Sequence, residues 1–162
     1  MSCWGCKSKK FYQYTAIDEF SRFRYVNSFE ECSTYTSAQF LLHVKRAFPF
    51  PSKYIQIDNV FDIYQTFYQF EKERELALFE STLKSLGIQH RKIRPFTPRH
   101  NRKVERSHRK DNEYFYATHH FYSFQDFSAQ LKVHNRKYNR FPMRPLGWKS
   151  TKEYLEDYFR TL

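Results

Sequence analysis

Short runs of aromatic and β-branched residues along the chain predict four strands, because such residues suit the half-buried surface of a sheet. In order, the predicted strands are Phe11–Ile17, Phe23–Phe29, Lys53–Ile57 and Ile88–Ile93. The polar residues Asp18–Arg22 between the first two strands indicate a hairpin turn. We expect the Asp18 side chain to brace this turn rather than to act in catalysis. In the second hairpin strand, Arg24 and Val26 share one face.

Hydrophobic residues at helical spacing, together with capping signals such as Thr97–Pro98, predict five helices. Their expected ranges are Ser33–Phe48, Leu76–Leu86, about Thr97 to Thr118, Phe124–Tyr138 and about Lys152 to Phe159. Gly87 is placed to end the second helix as its C-cap. In the fourth helix, Phe127, Leu131 and His134 are expected to face inward. Residues 61–70 are aromatic and low in charge and fit either a loop over a site or a poorly ordered insertion.

The composition favours a globular domain with an acidic partner. A chain of 162 residues, 40% hydrophobic and 20% aromatic, is long enough for one core and too aromatic for a disordered segment. Its net charge of +11 favours nucleic acid as the partner. An anionic membrane is the rival, but the chain lacks an apolar run of spanning length and any lipidation motif, so no membrane association is expected. Without a signal peptide, and with three cysteines, a cytoplasmic location is expected.

The first ten residues are predicted to be a short, basic, turn-like segment. Cys3 and Cys6 form an isolated C-x-x-C pair within it. A zinc site would need two further ligands at matching spacing, and a thioredoxin-like site would need a preceding strand. We therefore expect both residues to be ordinary thiols.

Basic residues are concentrated between Arg91 and Lys110, where the only acid is Glu105. The nine cations are Arg91, Lys92, Arg94, Arg99, Arg102, Lys103, Arg106, Arg109 and Lys110. Because cations at this density repel one another, the segment fits a position beside a polyanion such as DNA. Glu105 is either a functional carboxylate or a pairing partner for Arg102 or Arg109 one helical turn away.

Two further features bear on the role of Glu105. On a helix starting near Thr97, Asn101, Glu105, His108 and Asn112 would share one polar stripe. Upstream, Asp58 follows directly on a predicted strand, where α/β folds tend to place ligand and metal sites. The alternative is that Asp58, with its neighbour Asn59, only forms a turn.

Taken together, these residues resemble the catalytic core of bacterial insertion-sequence transposases, in the DDE superfamily that includes retroviral integrases. The resemblance covers most of residues 11–150, with a gap near 61–75. Its pieces, in order, are Tyr14–Arg22, Gln56–Asn59, Leu86–His90, Arg94–Asn101, Lys103–Arg106, Tyr138–Arg140 and Arg144–Pro145. It implies an α/β, ribonuclease-H-like fold, a mixed sheet flanked by helices, here expected to lack its first strand. The domain boundaries that follow are a basic segment at 1–10, an integrase-type core at 11–145 and a helical tail at 146–162.

The resemblance also implies a chemistry. In this family two Asp and one Glu hold two Mg²⁺ ions for DNA strand cleavage and transfer, and Mn²⁺ is the alternative ion. By the resemblance, Asp58 is the second of these acids and Glu105 the third, both as catalytic residues and as metal ligands. The expected DNA-binding residues are Arg94, Arg99, Arg102, Lys103, Arg106, Arg109 and Lys110. The implied partners are transposon ends, target DNA and either further copies of the chain or a full-length transposase, on the nucleoid of a bacterial cytoplasm.

The chain departs from the family pattern at several positions. The first catalytic Asp belongs on a strand before Phe11, and Asp18 does not take over its role because it follows the next strand. Val60 and Arg102 stand where the family has Gly, and Thr151 where it tends to have Pro. An incomplete triad predicts weak or absent turnover in an N-terminally truncated core. The alternatives are a non-catalytic, sequence-tolerant DNA-binding remnant and a nuclease or resolvase of the same fold.

Overall fold

The computed structural model describes residues 3–6, 9–57, 78–92 and 102–161, with backbone alone for residues 3–6, 9 and 92. The strands are β1 Cys3–Cys6, β2 Lys9–Ile17, β3 Arg24–Phe29, β4 Tyr54–Ile57 and β5 Gln89–Lys92. The α-helices are α1 Thr34–Ala47, α2 at 78–85, α3 Arg102–Asp111, α4 Phe124–Arg140 and α5 Thr151–Arg160. The chain divides into two compact units, one of Met1–Glu30 with Lys103–Leu162, and one of Glu31–Arg102.

The first unit contains an antiparallel sheet in the order β1-β2-β3. Cys3 pairs with Tyr12 across β1 and β2, and Ile17 pairs with Arg24 across β2 and β3. The four strands predicted from the sequence are present. The prediction that the first ten residues are turn-like was wrong, because Cys3–Cys6 extends the sheet by backbone pairing that composition alone does not reveal.

The turn between β2 and β3 is braced by its own side chain, as predicted. Asp18 Oδ2 accepts hydrogen bonds from the Ser21 amide and the Ser21 hydroxyl, both at 2.7 Å. Arg22 adopts a left-handed backbone with φ of 61°, which the turn requires and a non-glycine residue adopts at some strain. The Asp18 carboxylate is therefore occupied by the turn.

The core of the first unit forms where the sheet and two helical segments meet. Its buried members are Phe11, Val26, Phe115, Tyr116, Phe127 and Leu131. Directly after α3, the chain forms a π-helical segment, Asn112–Tyr116, in which the Ala117 amide donates to the Asn112 carbonyl at 3.0 Å. Our prediction of an uninterrupted α-helix to Thr118 was wrong at this point. The wider turn accompanies the burial of two consecutive aromatic side chains, Phe115 and Tyr116.

The second unit is built from α1, β4, α2 and β5. Ser33 caps α1 through a reciprocal capping box with Thr36, and β4 pairs with β5 in parallel, with Tyr54 opposite Gln89. Leu41, Phe79, Leu83 and Ile88 form its buried core. As predicted, α2 ends at a glycine in the left-handed conformation, Gly87 with φ of 68°.

Antiparallel and parallel strand pairs with packed helices confirm the mixed α/β prediction. The last two helices also match their predicted positions, and α4 runs two residues further than expected, to Arg140. None of the helices in the described part of the chain is both long and apolar enough to cross a bilayer.

Candidate functional site

The helix α3 presents two chemically different faces. Ser107 and Asp111, four residues apart, are both buried. Arg102, Arg106 and Arg109, spaced by four and three residues, form an exposed stripe on the other side. One face is thus held inside the first unit, and the other is open to a partner.

Glu105 lies at the edge of this cationic stripe and its side chain is exposed. Among the described residues, no Lys or Arg side-chain nitrogen lies within 4.0 Å of its carboxylate, so neither Arg102 nor Arg109 pairs with it. Its place in the first turn of α3 is favourable for a negative charge, because the helix dipole is positive there. The simple pairing interpretation of Glu105 therefore receives no support, and the carboxylate remains open to a ligand.

The predicted DNA-binding residues fall into three groups. Arg102, Arg106, Arg109 and Lys110 are exposed on α3. Lys103 is half-buried and engaged, since its Nζ donates to Glu19 Oε1 at 3.0 Å and so ties α3 to the turn between β2 and β3. The remaining two, Arg94 and Arg99, lie outside the described residues and stay predictions.

Asp58, the other predicted metal ligand, also lies outside the described residues, as do Asn101 of the predicted polar stripe and Val60. The strand before Asp58 is described and runs parallel to β5, so β4 and β5 end at the same sheet edge, at Ile57 and Lys92. Within the described ranges, no group of three or more His, Cys, Asp or Glu side chains is arranged to hold a metal ion. Whether Asp58 and Glu105 come together therefore stays a prediction.

The inner face of α3 is fixed by a buried ion pair. Arg24 Nη1 lies 2.7 Å from Asp111 Oδ1, and the two side chains are 0% and 1% exposed. The same nitrogen donates to the Ser107 hydroxyl at 2.7 Å. Arg24 comes from β3, so the pair joins the sheet to α3 across 87 residues of sequence.

Asp111 has two further partners. His134 Nε2 donates to Asp111 Oδ1 at 2.7 Å, and Gln13 Nε2 donates to Oδ2 at 2.9 Å. The Tyr116 hydroxyl in turn donates to Gln13 Oε1. Burial alone would raise the pKa of Asp111, but the hydrogen bond from His134 and the charge of Arg24 outweigh it, so this pKa is lowered. The carboxylate is charged at neutral pH and fully coordinated, which makes it a structural acid.

Arg24 also attaches α4. Its Nε donates to Asn135 Oδ1 at 3.2 Å, and its guanidinium lies 3.9 Å from the centre of the Tyr138 ring. The Asn139 side chain makes two hydrogen bonds with the Arg24 backbone. Its Oδ1 accepts from the Arg24 amide at 2.9 Å, and its Nδ2 donates to the Arg24 carbonyl at 2.7 Å. Thr151, the first residue of α5, donates its hydroxyl to the Asn139 carbonyl at 3.0 Å. Here Thr makes a bond that the family's Pro could not.

Sequence reasoning missed this network, although one signal was present. Arg24 and Val26 share a strand face, and Val26 is a core residue, so Arg24 had to be buried with it. The inward prediction for Phe127, Leu131 and His134 is confirmed, with His134 bonded to Asp111. What the sequence did not identify is which acid pairs with Arg24.

His108 lies one turn beyond Glu105 on α3, and its ring is half-buried. Within the described residues its Nε2 is shielded from solvent and makes no hydrogen bond. Burial lowers the pKa of His108, so the ring is neutral at pH 7. Along the predicted polar stripe, exposure thus decreases from the exposed Glu105 carboxylate to the neutral, half-buried His108 ring.

Comparison with known proteins adds to this geometry. A family model described as an integrase core domain matches residues 86–148, which include α3, the π-helical segment and α4. Among solved structures, a chain of the simian T-cell lymphotropic virus intasome, determined by cryo-electron microscopy in complex with PP2A regulatory subunit B56 gamma, is similar with a TM-score of 0.69 and 18% identity. The similarity covers 94% of the present chain and 51% of that chain. No curated protein sequence matches.

The structural match settles the fold. The chain has the ribonuclease-H-like α/β fold of a retroviral integrase core, as predicted. It spans about half the length of the intasome chain that it resembles. Residues 86–148 match a model described as an integrase core domain, and the structural similarity, at 18% identity, bears on the fold alone.

Proposed function

We propose that the chain is the catalytic core, or part of the core, of a bacterial insertion-sequence transposase that cleaves and transfers DNA strands with divalent metal ions. The observation that carries this proposal is the exposed carboxylate of Glu105, which lies at the edge of a cationic stripe and has no cationic partner within 4.0 Å in the described part of the chain. Helix α3, which carries Glu105, lies within the segment that matches an integrase core domain.

Glu105 and Asp58 would hold the metal. The unpaired carboxylate of Glu105 fits this role, because Mg²⁺ prefers hard oxygen ligands and retains several waters. When bound, a pair of such ions activates the attacking oxygen and stabilises the leaving oxygen of a phosphodiester. The chain's own contribution is to place carboxylates at the reacting phosphate and cations along the DNA backbone.

The exposed arginines of α3 would supply those backbone contacts. Arg102, Arg106 and Arg109 are exposed and, among the described residues, none of them has a carboxylate within 4.0 Å. Lys and Arg side chains neutralise phosphates without reading bases, so the predicted binding is tolerant of sequence. Because Arg24 and Asp111 anchor the opposite face, the stripe and Glu105 are presented on a helix of fixed orientation.

The proposed partners follow from the same chemistry. Transposon ends and target DNA would lie along the cationic stripe, and further copies of the chain or a full-length transposase would complete the assembly. The proposed location is the nucleoid of a bacterial cytoplasm. Since the chain spans about half of the intasome chain it resembles, these partners are proposals for the chain as part of a larger machine.

A strand-cleavage and strand-joining assay tests the catalytic proposal. The wild type is compared with Asp58→Asn and Glu105→Gln on supercoiled and linear DNA, with Mg²⁺ or Mn²⁺ and with EDTA. The matched control is Glu156→Gln, which neutralises an exposed acid on α5. Because the triad is incomplete, we expect at most weak metal-dependent nicking or joining, which both site variants abolish and the control retains. Equal activity in all four proteins would remove the enzymatic proposal, and cut but never joined products would favour a nuclease or resolvase.

The second candidate is a non-catalytic DNA-binding domain. The first ten residues favour it. The resemblance expects the first catalytic Asp on a strand before Phe11; Cys3–Cys6 forms a strand there, but none of the first ten residues is an acid. For this candidate, DNA affinity falls steeply with salt and is indifferent to Mg²⁺ and to Glu105→Gln. Affinity that requires Mg²⁺ and is lost with Glu105→Gln would contradict it.

A further inference from the structure

Phe141 presents an exposed aromatic ring beside the cationic helix. It is the first residue after α4, it is 61% exposed, and Lys110 Nζ of α3 lies 5.8 Å from the centre of its ring. Its own amide donates to the Tyr138 carbonyl at 3.2 Å, which fixes the ring's base at the helix end. An apolar ring of this size held in solvent next to a lysine is a surface that a flat partner would cover.

The segment that follows Phe141 is also firmly held. A backbone bridge joins Met143 to Lys149, and Leu146 is buried between them in sequence. The ring is therefore mounted between two anchored elements and needs no large rearrangement to receive a partner. A fixed aromatic surface loses little entropy on binding.

Two other exposed aromatic residues of the first unit have a different electrostatic setting. Tyr122 is 87% exposed, and its amide bonds the Asp126 carboxylate at 3.1 Å. Tyr114, also exposed, lies next to Glu113, whose carboxylate raises the pKa of the Tyr114 hydroxyl. Those two rings stand beside acids, which repel a nucleic acid. Phe141 instead stands beside Lys110 and between the exposed Arg140 and Arg144.

We infer that Phe141 is a stacking platform for an unpaired DNA base whose phosphate backbone runs along the exposed cations of α3. The inference rests on the DNA binding in the proposed function and deepens it by specifying the form of the DNA. Every base offers a flat π-face, so stacking is tolerant of sequence, and Lys110 neutralises a neighbouring phosphate. Bases inside a duplex stack on one another and leave no such face open, whereas an unpaired base can turn its face to the ring.

The inference predicts a preference for DNA with a single-stranded overhang over a blunt duplex of the same length. Loss of one base–aromatic stack weakens binding by about 5- to 150-fold. Phe141→Ala should therefore weaken overhang binding by such a factor and leave blunt-duplex binding nearly unchanged. Phe141→Tyr retains an aromatic face and should restore the wild-type preference.

Fluorescence anisotropy with labelled blunt and overhang duplexes provides the affinities, and a 2-aminopurine base in the overhang reports stacking by the quenching of its fluorescence. The proteins are the full chain as wild type, Phe141→Ala, Phe141→Tyr and the control Tyr122→Ala, which removes a more exposed ring beside an acid. Thermal denaturation of each variant confirms that it is folded. We expect quenching with the wild type, Phe141→Tyr and Tyr122→Ala, and none with Phe141→Ala.

Three results would count against the inference, and one of them would count against the proposed function as well. If the wild type binds both DNAs with a steep salt dependence but Phe141→Ala retains overhang affinity and quenching, the stacking inference is overturned and DNA binding stands. If the wild type binds neither DNA, the proposed function itself fails, and the inference fails with it. A loss shared by Phe141→Ala and Tyr122→Ala would also overturn the inference, because it would show a general effect of exposed rings.

Discussion

The two faces of α3 carry charge in opposite ways. On the inner face, Asp111 is 1% exposed and is bonded to Arg24, His134 and Gln13. On the outer face, Glu105 is exposed and has no cation within 4.0 Å among the described residues. These two carboxylates lie six positions apart on one helix and thus differ sharply. Asp111 is bonded to three side chains, whereas Glu105 has no cationic partner in the described part of the chain.

The difference separates structure from function on a single element. Burying a charge is costly unless it is paired and hydrogen-bonded, and the inner residues meet this need through the Arg24–Asp111 ion pair and its hydrogen bonds. Exposed like charges add little to stability and can repel, so the outer residues are explained by a partner that is absent when the protein is alone. We therefore expect inner substitutions to act on stability and outer substitutions to act on DNA.

The largest effect is expected from breaking the buried pair on one side. Arg24→Met leaves the Asp111 carboxylate without its cation, and Asp111→Leu leaves the Arg24 guanidinium unpaired. Removing one partner of a buried ion pair lowers the free energy of unfolding by roughly 3–5 kcal/mol. Urea denaturation followed by circular dichroism measures this quantity.

The double variant Arg24→Met with Asp111→Leu serves as the control, because it leaves neither charge unpaired. We expect it to be more stable than either single variant, which requires a coupling energy above about 3 kcal/mol between the two substitutions. If the effects of the two single substitutions simply add, the pair contributes no special interaction and our account of the inner face is wrong.

A smaller loss of stability is expected when the pH is lowered. Because the pKa of Asp111 is lower in the folded protein than its ordinary value of 3.8, the unfolded chain takes up its proton first as the pH falls. The stabilisation is present in full above that ordinary value and is lost as the pH falls below it through the folded pKa. Urea denaturation between pH 6 and pH 3 should show a steeper loss of stability in the wild type than in the double variant, and parallel curves would contradict the assignment.

At the edge of the inner network, we expect a loss of about 1 kcal/mol. Thr151→Val keeps the shape of the side chain but removes the hydroxyl that donates to the Asn139 carbonyl. A typical buried hydrogen bond contributes roughly 0.5–1.5 kcal/mol to stability. Thermal denaturation measures the change, and Thr161→Val, which alters an exposed hydroxyl at the end of α5, is the matched control. Equal shifts for both would show that the Asn139 contact contributes nothing.

The smallest effect on stability is expected on the outer face. Arg106→Ala and Arg109→Ala should each change the free energy of unfolding by less than about 0.5 kcal/mol, because surface substitutions seldom do more. Their DNA affinity should nevertheless fall, and each should reduce the slope of log affinity against log salt by about 1. Unchanged affinity with unchanged stability would show that the stripe does not contact DNA.

The sequence predicted the elements better than the contacts between them. Local signals were sufficient for the β2–β3 hairpin, for the capped start of α1 and for Gly87, because turn and cap chemistry acts within a few residues. The strand β1 escaped prediction because Cys3–Cys6 has little strand character of its own and is held by pairing with β2. The π-helical segment escaped for a related reason, since only the packed core requires two consecutive buried rings.

For the candidate site, the sequence identified Glu105 and the cationic stripe through charge alone. It did not reveal that Asp111, and not Glu105, forms the ion pair with Arg24. That pairing could not be read locally because Arg24 is distant in sequence. Exposure on a helix follows from local periodicity. Pairing between a strand and a helix depends on the whole fold.

The first compact unit is assembled from the two ends of the sequence, Met1–Glu30 and Lys103–Leu162. Its central bonds join residues as far apart as Arg24 and Asn139, 115 positions along the chain. During synthesis, the β2–β3 hairpin must therefore wait for most of the polypeptide to emerge before α3 and α4 can cover it, whereas the unit of Glu31–Arg102 is continuous and complete much earlier. Closing so long a loop slows folding more than it reduces final stability. Helix α3 is thus among the last elements to dock onto its unit, after the segment that precedes it in sequence has been synthesised.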